Sequence, residues 1–478
     1  MEYSHFRFAP LAAAVVTAIA APASASLLDE ASESRTLHEL VQESYNRYQG
    51  YNATALPDGG FAVIWAEHYS RPSVLDDSVK LQRFDANGQA TEEPLILLQR
   101  DYQQGTSSFS QPTVAADQEG DLVVAWTTPG NYCFGKVYVQ TLDADGDWSS
   151  LPEPMEVTSS GCDPRLAMDA DGDFALTWRT GDGKGRLRTF SAAGVSYQGE
   201  EDIIFTHDLP SNPPTPALAM QSDGMLMVAW TDAEDGYVYG QRFNLTGTTR
   251  DATPIRLDNG ALSNDEHQQH SPALAAYRDD GFVAFWNERQ PFSEPDEIDE
   301  IEIKGLRWHG DGTPGKSLIA GSTLISDNYS YKLTEPAVAA DSSGNVLVAW
   351  QGRVYGEKPD THITHLDDRL NIAELAQPYV DPDTLYSSSN FEHAPRLVMS
   401  DDRPVLVWTR RDQEDAQPRS ILARTFPTLV EAVDPIDENP ADEDNDSDDD
   451  SGSSGGAGSP WLLSLLALLG FQRWMRTR

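Results

Sequence analysis

Cys133 and Cys162 are the only cysteines in the chain. An even count in an oxidising compartment points to a disulfide, not to a metal centre or a nucleophile. Glu294, Asp296, Glu297 and Glu392 are of the type that supplies an acid/base pair for cleaving a glycosidic bond, provided two carboxylates converge within about 10 Å. Tyr102, Phe109, Tyr329, Tyr331, Tyr386 and Phe391 stand among Ser, Asn and Asp. Exposed rings with small polar neighbours suit sugar or peptide binding; rings that pack their segments onto a scaffold have the same look in sequence. Asp143, Asp145 and Asp147, like Asp169, Asp171 and Asp173, share the opening spacing of a calcium loop, but the distal bidentate Glu is absent. His362 and His365 are three apart on an expected strand, so they face opposite ways and make poor co-ligands. His267 and His270 lie in a polar segment. With no Gly-x-Ser-x-Gly elbow, phosphate loop or Cys/His cluster in the sequence, no residue is assigned a catalytic or metal role. Calcium is the one cofactor left open.

Something must position these residues, and the interior of the chain repeats. Seven apolar runs end in Trp, at Trp65, Trp126, Trp178, Trp230, Trp286, Trp350 and Trp408. Fourteen residues before five of them stands a Pro: Pro112, Pro164, Pro216, Pro272 and Pro336. Pro395 precedes its Trp by 13, and Tyr51 takes the place before Trp65. Pro is tolerated at a strand's first residue, and the Asp/Gly turns that follow, such as Asp169-Ala170-Asp171-Gly172, suit a hairpin. A third strand follows each Trp, as in Val79–Phe84 or Val238–Phe243, and then a fourth, as in Pro94–Leu98. Four short strands per unit in seven units predict an all-β, seven-bladed β-propeller with the Trp series as core.

The last unit lacks a fourth strand. A segment near 37–44, before the first unit, reads like the fourth strand Leu95–Tyr102. It is expected to complete the last blade and so remove two open sheet edges. Because strands alternate in direction, the long second-to-third and blade-to-blade connections share one face. Binding residues on a rigid scaffold belong there. Cys133 and Cys162 fall on that same face, and their bond is expected to close a loop worth about 3 kcal/mol in the chain-entropy model.

The repeat resembles one found in large secreted proteobacterial surface proteins, with the order Gly-Gly-Phe-Val-Val-x-Trp, Gln-Arg-Phe-Asp-x-x-Gly, Pro-x-Val-Ala. Gly59-Gly60-Phe61 to Trp65, Gln82-Arg83-Phe84-Asp85 and Gln241-Arg242-Phe243 match it best. The resemblance implies a surface role and brings no catalytic residues with it.

The ends read as addresses. Arg7, the apolar Leu11–Ala21 and Ala23-Ser24-Ala25 form a secretory signal peptide over residues 1–25, a substrate for signal peptidase. The propeller is expected over 26–430. An acidic Gly/Ser linker follows over 431–459, with eleven acidic residues and no basic one between Glu431 and Asp450; like charges extend such a chain. Residues 460–478 hold the apolar run Trp461–Phe471 and then Arg473, Arg476 and Arg478. As a helix that run reaches about 16 Å, short of a roughly 30 Å hydrocarbon core. Gly455-Gly456, the run and the Arg cluster together resemble the GlyGly-CTERM sorting signal of Gram-negative bacteria. That resemblance covers the last 24 residues. It implies transient membrane retention, cleavage by a rhombosortase-like intramembrane protease, and passage to the cell surface by type II secretion. A plain tail anchor is the alternative.

The net charge is −42, with 34 Lys and Arg against 76 Asp and Glu. Such a surface repels phosphate, which excludes nucleic acid as a partner. The leading expectation is a non-catalytic, surface-displayed binding or adhesion module for an extracellular glycan or protein. A secreted polysaccharide hydrolase or lyase using the loop carboxylates is the alternative, and a structural envelope component the third.

Overall fold

The computed structural model describes residues 31–40, 47–71, 74–102, 112–128, 133–199, 201–206, 216–232, 234–257, 268–278, 281–290, 299–325, 336–352, 360–379, 395–411 and 418–429. Every regular element among them is a β-strand.

In chain order, β1 (Arg35–Glu39) comes first, then β2 (Arg47–Ala55), β3 (Phe61–Arg71), β4 (Val74–Phe84) and β5 (Leu95–Tyr102), which form one sheet in that order. Next are β6 (Thr113–Ala116), β7 (Leu122–Thr127), β8 (Gly135–Leu142), β9 (Met155–Met168), β10 (Phe174–Arg179), β11 (Gly185–Phe190) and β12 (Ile203–Thr206), joined as one seven-stranded sheet. β13 (Ala217–Met220), β14 (Leu226–Thr231), β15 (Val238–Phe243) and β16 (Ile255–Arg256) make a sheet of four. So do β17 (Gln268–Tyr277), β18 (Gly281–Gln290), β19 (Asp299–Trp308) and β20 (Pro314–Ile325). The next four are β21 (Ala337–Ala340), β22 (Val346–Gly352), β23 (Asp360–Leu366) and β24 (Ile372–Tyr379). Finally β25 (Arg396–Ser400), β26 (Arg403–Arg411) and β27 (Pro418–Thr425) form a sheet whose fourth strand is β1.

The seven-stranded sheet is two four-stranded units sharing β9. Its first half pairs with β8 and its second half, from Cys162, pairs with β10. Asp163, with φ 54°, sits where the chain passes from one unit to the next. A loop was expected there; the connection is so short that the strand ladder runs through it.

The Trp-bearing strands explain their own sequence pattern. All six residues of β7 and of β14 are buried, so these strands read as continuous apolar runs instead of alternating. The core consists of clusters that each join one unit to the next. Trp126 packs with Ile64 and Leu81, Trp178 with Val123 and Val139, and Trp230 with Ala175 and Leu187. Trp286 packs with Met227 and Ala229, Trp350 with Val283 and Phe285, and Trp408 with Leu347 and Ala349. A further cluster joins the last unit to the first, with Trp65 and Tyr51 against Val405 and Val407. The first strands also touch in sequence, β2 with β6, then β9, β13, β17, β21 and β25, and β25 touches β2. The described residues thus form an all-β, propeller-like body.

β1 pairs antiparallel with β27, from Arg35 opposite Ala423 to Glu39 opposite Ser420. Leu37 and Leu40 pack into the cluster that holds Trp65. Residues 41–46, within the 37–44 segment singled out in sequence and just beyond it, lie outside the described residues.

One register runs through all units. The residue after each Pro, or after Tyr51, pairs with the residue before the Trp: Asn52 with Ile64, Thr113 with Ala125, Arg165 with Thr177, Ala217 with Ala229, Ala273 with Phe285, Ala337 with Ala349 and Arg396 with Val407. In the last unit the Pro-to-Trp spacing is one residue shorter. There Ser400 pairs with Arg403 across Asp401 and Asp402. Both have positive φ, 50° and 57°, as a two-residue type I′ hairpin requires.

Candidate functional site

Asn52, Thr113, Arg165, Ala217, Ala273, Ala337 and Arg396 are equivalent, each on the first strand of its unit and opposite the residue before a Trp. Six of them, Asn52, Arg165, Ala217, Ala273, Ala337 and Arg396, line a cavity of about 170 Å³. Pro272, Pro336 and Pro395 form part of its wall, with Leu218, Leu274, Val338 and Leu397.

The wall is lopsided. Around the chain of first-strand contacts, Arg396, Asn52, Thr113 and Arg165 come from four consecutive units, and Ala217, Ala273 and Ala337 from the other three. One side of the lining therefore has two arginines and an asparagine. The other carries methyl groups, which leave room.

The polar side is held in place. Asn52 Nδ2 donates to Thr113 Oγ1 at 3.3 Å, and Asn52 Oδ1 accepts from the Ala53 amide at 2.7 Å. Each arginine folds back on its own strand: Arg165 Nη1 donates to the Pro164 carbonyl at 3.3 Å, and Arg396 Nη1 to the Pro395 carbonyl at 3.2 Å. Pro has no N–H but keeps its carbonyl, and here that carbonyl anchors the next side chain. Arg396 also lies over the Tyr51 ring, its guanidinium carbon 5.6 Å from the centroid. At that range a ring face attracts a cation. This accounts for Tyr51 standing where the other units have Pro: the ring is a platform for the guanidinium of the neighbouring unit.

Tyr102 ends β5 by pairing with Leu75. Phe109, Tyr329, Tyr331, Tyr386 and Phe391 lie outside the described residues, as do Glu294, Asp296, Glu297, Glu392, His267, Gly455 and Gly456. Cys133 and Cys162 sit side by side, with Cα atoms 4.6 Å apart and their sulfurs at bonding distance. Arg179 braces the pair, with Nη2 at 3.2 Å from Cys133 Sγ and Nε at 3.1 Å from Asp163 Oδ2. The two Asp triplets are engaged as turns. Asp143 Oδ1 accepts the Asp147 amide at 2.9 Å, and Asp169 Oδ1 accepts the amides of Asp171 and Asp173 at 3.1 and 2.9 Å. Asp173 in turn accepts from the Tyr197 hydroxyl at 2.6 Å, which pushes that phenol up to about 12. His362 stacks on Trp350, its ring 5.5 Å away, and burial lowers its pKa. His365 is opposite Leu347, on the same strand.

Sequence reading passed over Asn52, Arg165 and Arg396. The signal was present: aligned on Pro, the next column reads Thr, Arg, Ala, Ala, Ala, Arg. Two long cations in a column of small residues mark a place where the repeat has been put to another use.

No family model matches the chain, and no curated protein matches it in sequence. Among solved structures it is similar to a protein of unknown function from Dyadobacter fermentans, at 11% identity and TM-score 0.46 over 83% of this chain and 99% of that one. An α-L-arabinanase from Penicillium chrysogenum, solved with arabinobiose, aligns at 10% identity and TM-score 0.45 over 82% and 98% of the two chains. The polysaccharide lyase Uly1 aligns at 8% identity and TM-score 0.47 over 80% and 90%.

Proposed function

We propose that this chain is an exported, surface-displayed, seven-bladed β-propeller, closed by β1, that acts as a non-catalytic binding or adhesion module for an extracellular glycan or protein. The observation that carries the reading is the cavity lined by the first strands, where Asn52, Arg165 and Arg396 stand at the positions that other units fill with Ala. A purely structural ring has no need of a polar arc facing an open one.

Export rests on the signal peptide ending at Ala25, and display on the Gly455-Gly456 sorting signal with its intramembrane protease and type II secretion. Intact mass of the protein recovered from the cell surface tests that part. The expected species lacks residues 1–25 and Trp461–Arg478; a species retaining Trp461–Arg478 favours the tail anchor. For binding, the full chain is screened against glycans and extracellular proteins with calcium present and absent. Saturable binding without release of products is expected. Steady release of shortened glycan favours the hydrolase or lyase reading, and no binding at all favours the envelope component.

A further inference from the structure

We propose that the cavity is an oxyanion subsite, in which Arg165 and Arg396 together receive a carboxylate or sulfate group carried by the ligand. The proposal rests on the reading of this cavity as the ligand site and adds the class of ligand: an acidic glycan.

Arg165 and Arg396 line the cavity from units three apart in the order of first-strand contacts, with Asn52 from a unit between them. Each is tethered by the carbonyl of the preceding Pro, and one is braced by Tyr51. The planar fork of Arg matches the paired oxygens of a carboxylate or sulfate, and fixing it beforehand leaves less freedom to lose on binding. Both arginines are half-buried, where a charge-assisted hydrogen bond is stronger than in open water. The opposite wall of Ala217, Ala273 and Ala337 gives the group room to enter and offers its carbon skeleton an apolar surface.

The test uses the full chain and four probes: inorganic sulfate, a galacturonate trisaccharide, a sulfated galactose trisaccharide and the neutral galactose trisaccharide. Binding is followed by calorimetry, and sulfate also by its effect on the melting midpoint against chloride at equal ionic strength. One charged trisaccharide is expected to bind at least about tenfold more tightly than the neutral one. Arg165→Gln and Arg396→Gln are each expected to weaken it about tenfold or more, with the Lys variants losing less because charge remains but the fork is gone. Whether the uronate or the sulfate ester binds identifies the source of the anion. Ala273→Asp, which puts a negative charge, like that of the probe, on the cavity lining and leaves the arginines in place, is expected to abolish sulfate stabilisation in a chain that still melts cooperatively. If charged probes bind the Gln variants as they bind wild type, or if no charged probe binds, the oxyanion subsite is wrong. If the neutral trisaccharide binds as well as the charged ones, glycan binding stands and the oxyanion subsite falls. If sulfate stabilises the chain through Arg165 and Arg396 while no trisaccharide binds, the subsite stands and the glycan reading falls.

Discussion

At the scale of single residues, the Gln-Arg-Phe motif shows how one letter acts at a distance. Arg83 Nη2 donates to the Asp143 carbonyl at 2.8 Å, and Arg83 Nη1 reaches Ala144. Arg242 Nη1 donates to the carbonyls of His309 and Gly310. In both cases the arginine clasps the third-to-fourth turn of the next unit. Arg242 is also paired with Asp251, Nη2 to Oδ1 at 2.6 Å, with both side chains buried. Arg242→Gln leaves a buried carboxylate without its cation and is expected to cost about 3–5 kcal/mol. Arg83→Gln, at a more exposed clasp, is expected to cost about 1 kcal/mol. Chemical denaturation measures both, and equal losses would mean that burial of Asp251 does not set the difference. Asp169 gives a prediction of opposite sign. Burial pushes its carboxyl up from 3.8 to about 6, so the folded chain holds that proton more tightly than the unfolded one. Its contribution to stability is full below about pH 3.8 and is lost as pH rises through about 6. Asp169→Asn keeps the oxygen that accepts the Asp171 and Asp173 amides and removes the charge. It is expected to raise the melting midpoint by a few degrees at about pH 7.5 and to leave it unchanged near pH 3.5. An equal shift at both values would show that the charge is not the cause. The sequence showed the motif but not the clasp, because the carbonyls it holds belong to the next repeat, some 60 residues on.

At the scale of elements, the strands were legible because each repeats a local pattern. Pro stands directly before the first strand in four units, though Pro164 and Pro272 lie inside β9 and β17; a continuous apolar run ending in Trp forms the second strand, and Asp/Gly turns separate the pairs. Where the pattern weakened, so did the reading. β16 is only two residues long, and β9 runs through a place where a loop was expected. The cavity was not legible, because what makes it is the meeting of one position from six repeats, and no window of sequence contains more than one of them. β1 shows what one strand does for closure. His38 lies against Trp65, ring to ring at 4.9 Å, and its Nε2 is 3.4 Å from Glu67 Oε1; Lys80 holds the other oxygen of that buried carboxylate at 2.9 Å. Removing residues 27–46 takes away β1, exposes β27, and uncovers the surface that Leu37 and Leu40 cover. The expected loss is at least about 3 kcal/mol from those two leucines alone. A truncated chain that melts like the intact one would show that β1 is not what closes the ring. Cys133 and Cys162, 29 residues apart in sequence and with their sulfurs at bonding distance, act on a smaller scale, bringing the β7–β8 connection against β9. Unreduced, denatured protein is expected to show no titratable thiol; two per chain would mean that the bond does not form.

At the scale of the whole molecule, the net charge and the cavity pull a charged ligand in opposite directions, and salt separates them. A chain of −42 repels an anion over the distance at which its summed field acts, while two arginines attract it only at contact. The screening length falls from about 30 Å at 0.01 M salt to about 10 Å at 0.1 M. The long-range repulsion is therefore removed first, and the close, half-buried contacts at Arg165 and Arg396 are screened much less. For an acidic trisaccharide the association rate is expected to rise about threefold or more over that range, with a smaller change in the dissociation rate. Rapid-mixing measurements in a salt series would show this directly. The neutral trisaccharide feels neither effect, and its rates should not move. An association rate that falls with salt would mean that the field at the mouth of the cavity is positive, and that the two arginines, not the acidic surface around them, govern approach. The expected rise also suits the composition: with 34 Lys and Arg against 76 Asp and Glu, the summed field opposes the approach of an anion, and Arg165 and Arg396 act on it only at the cavity they line.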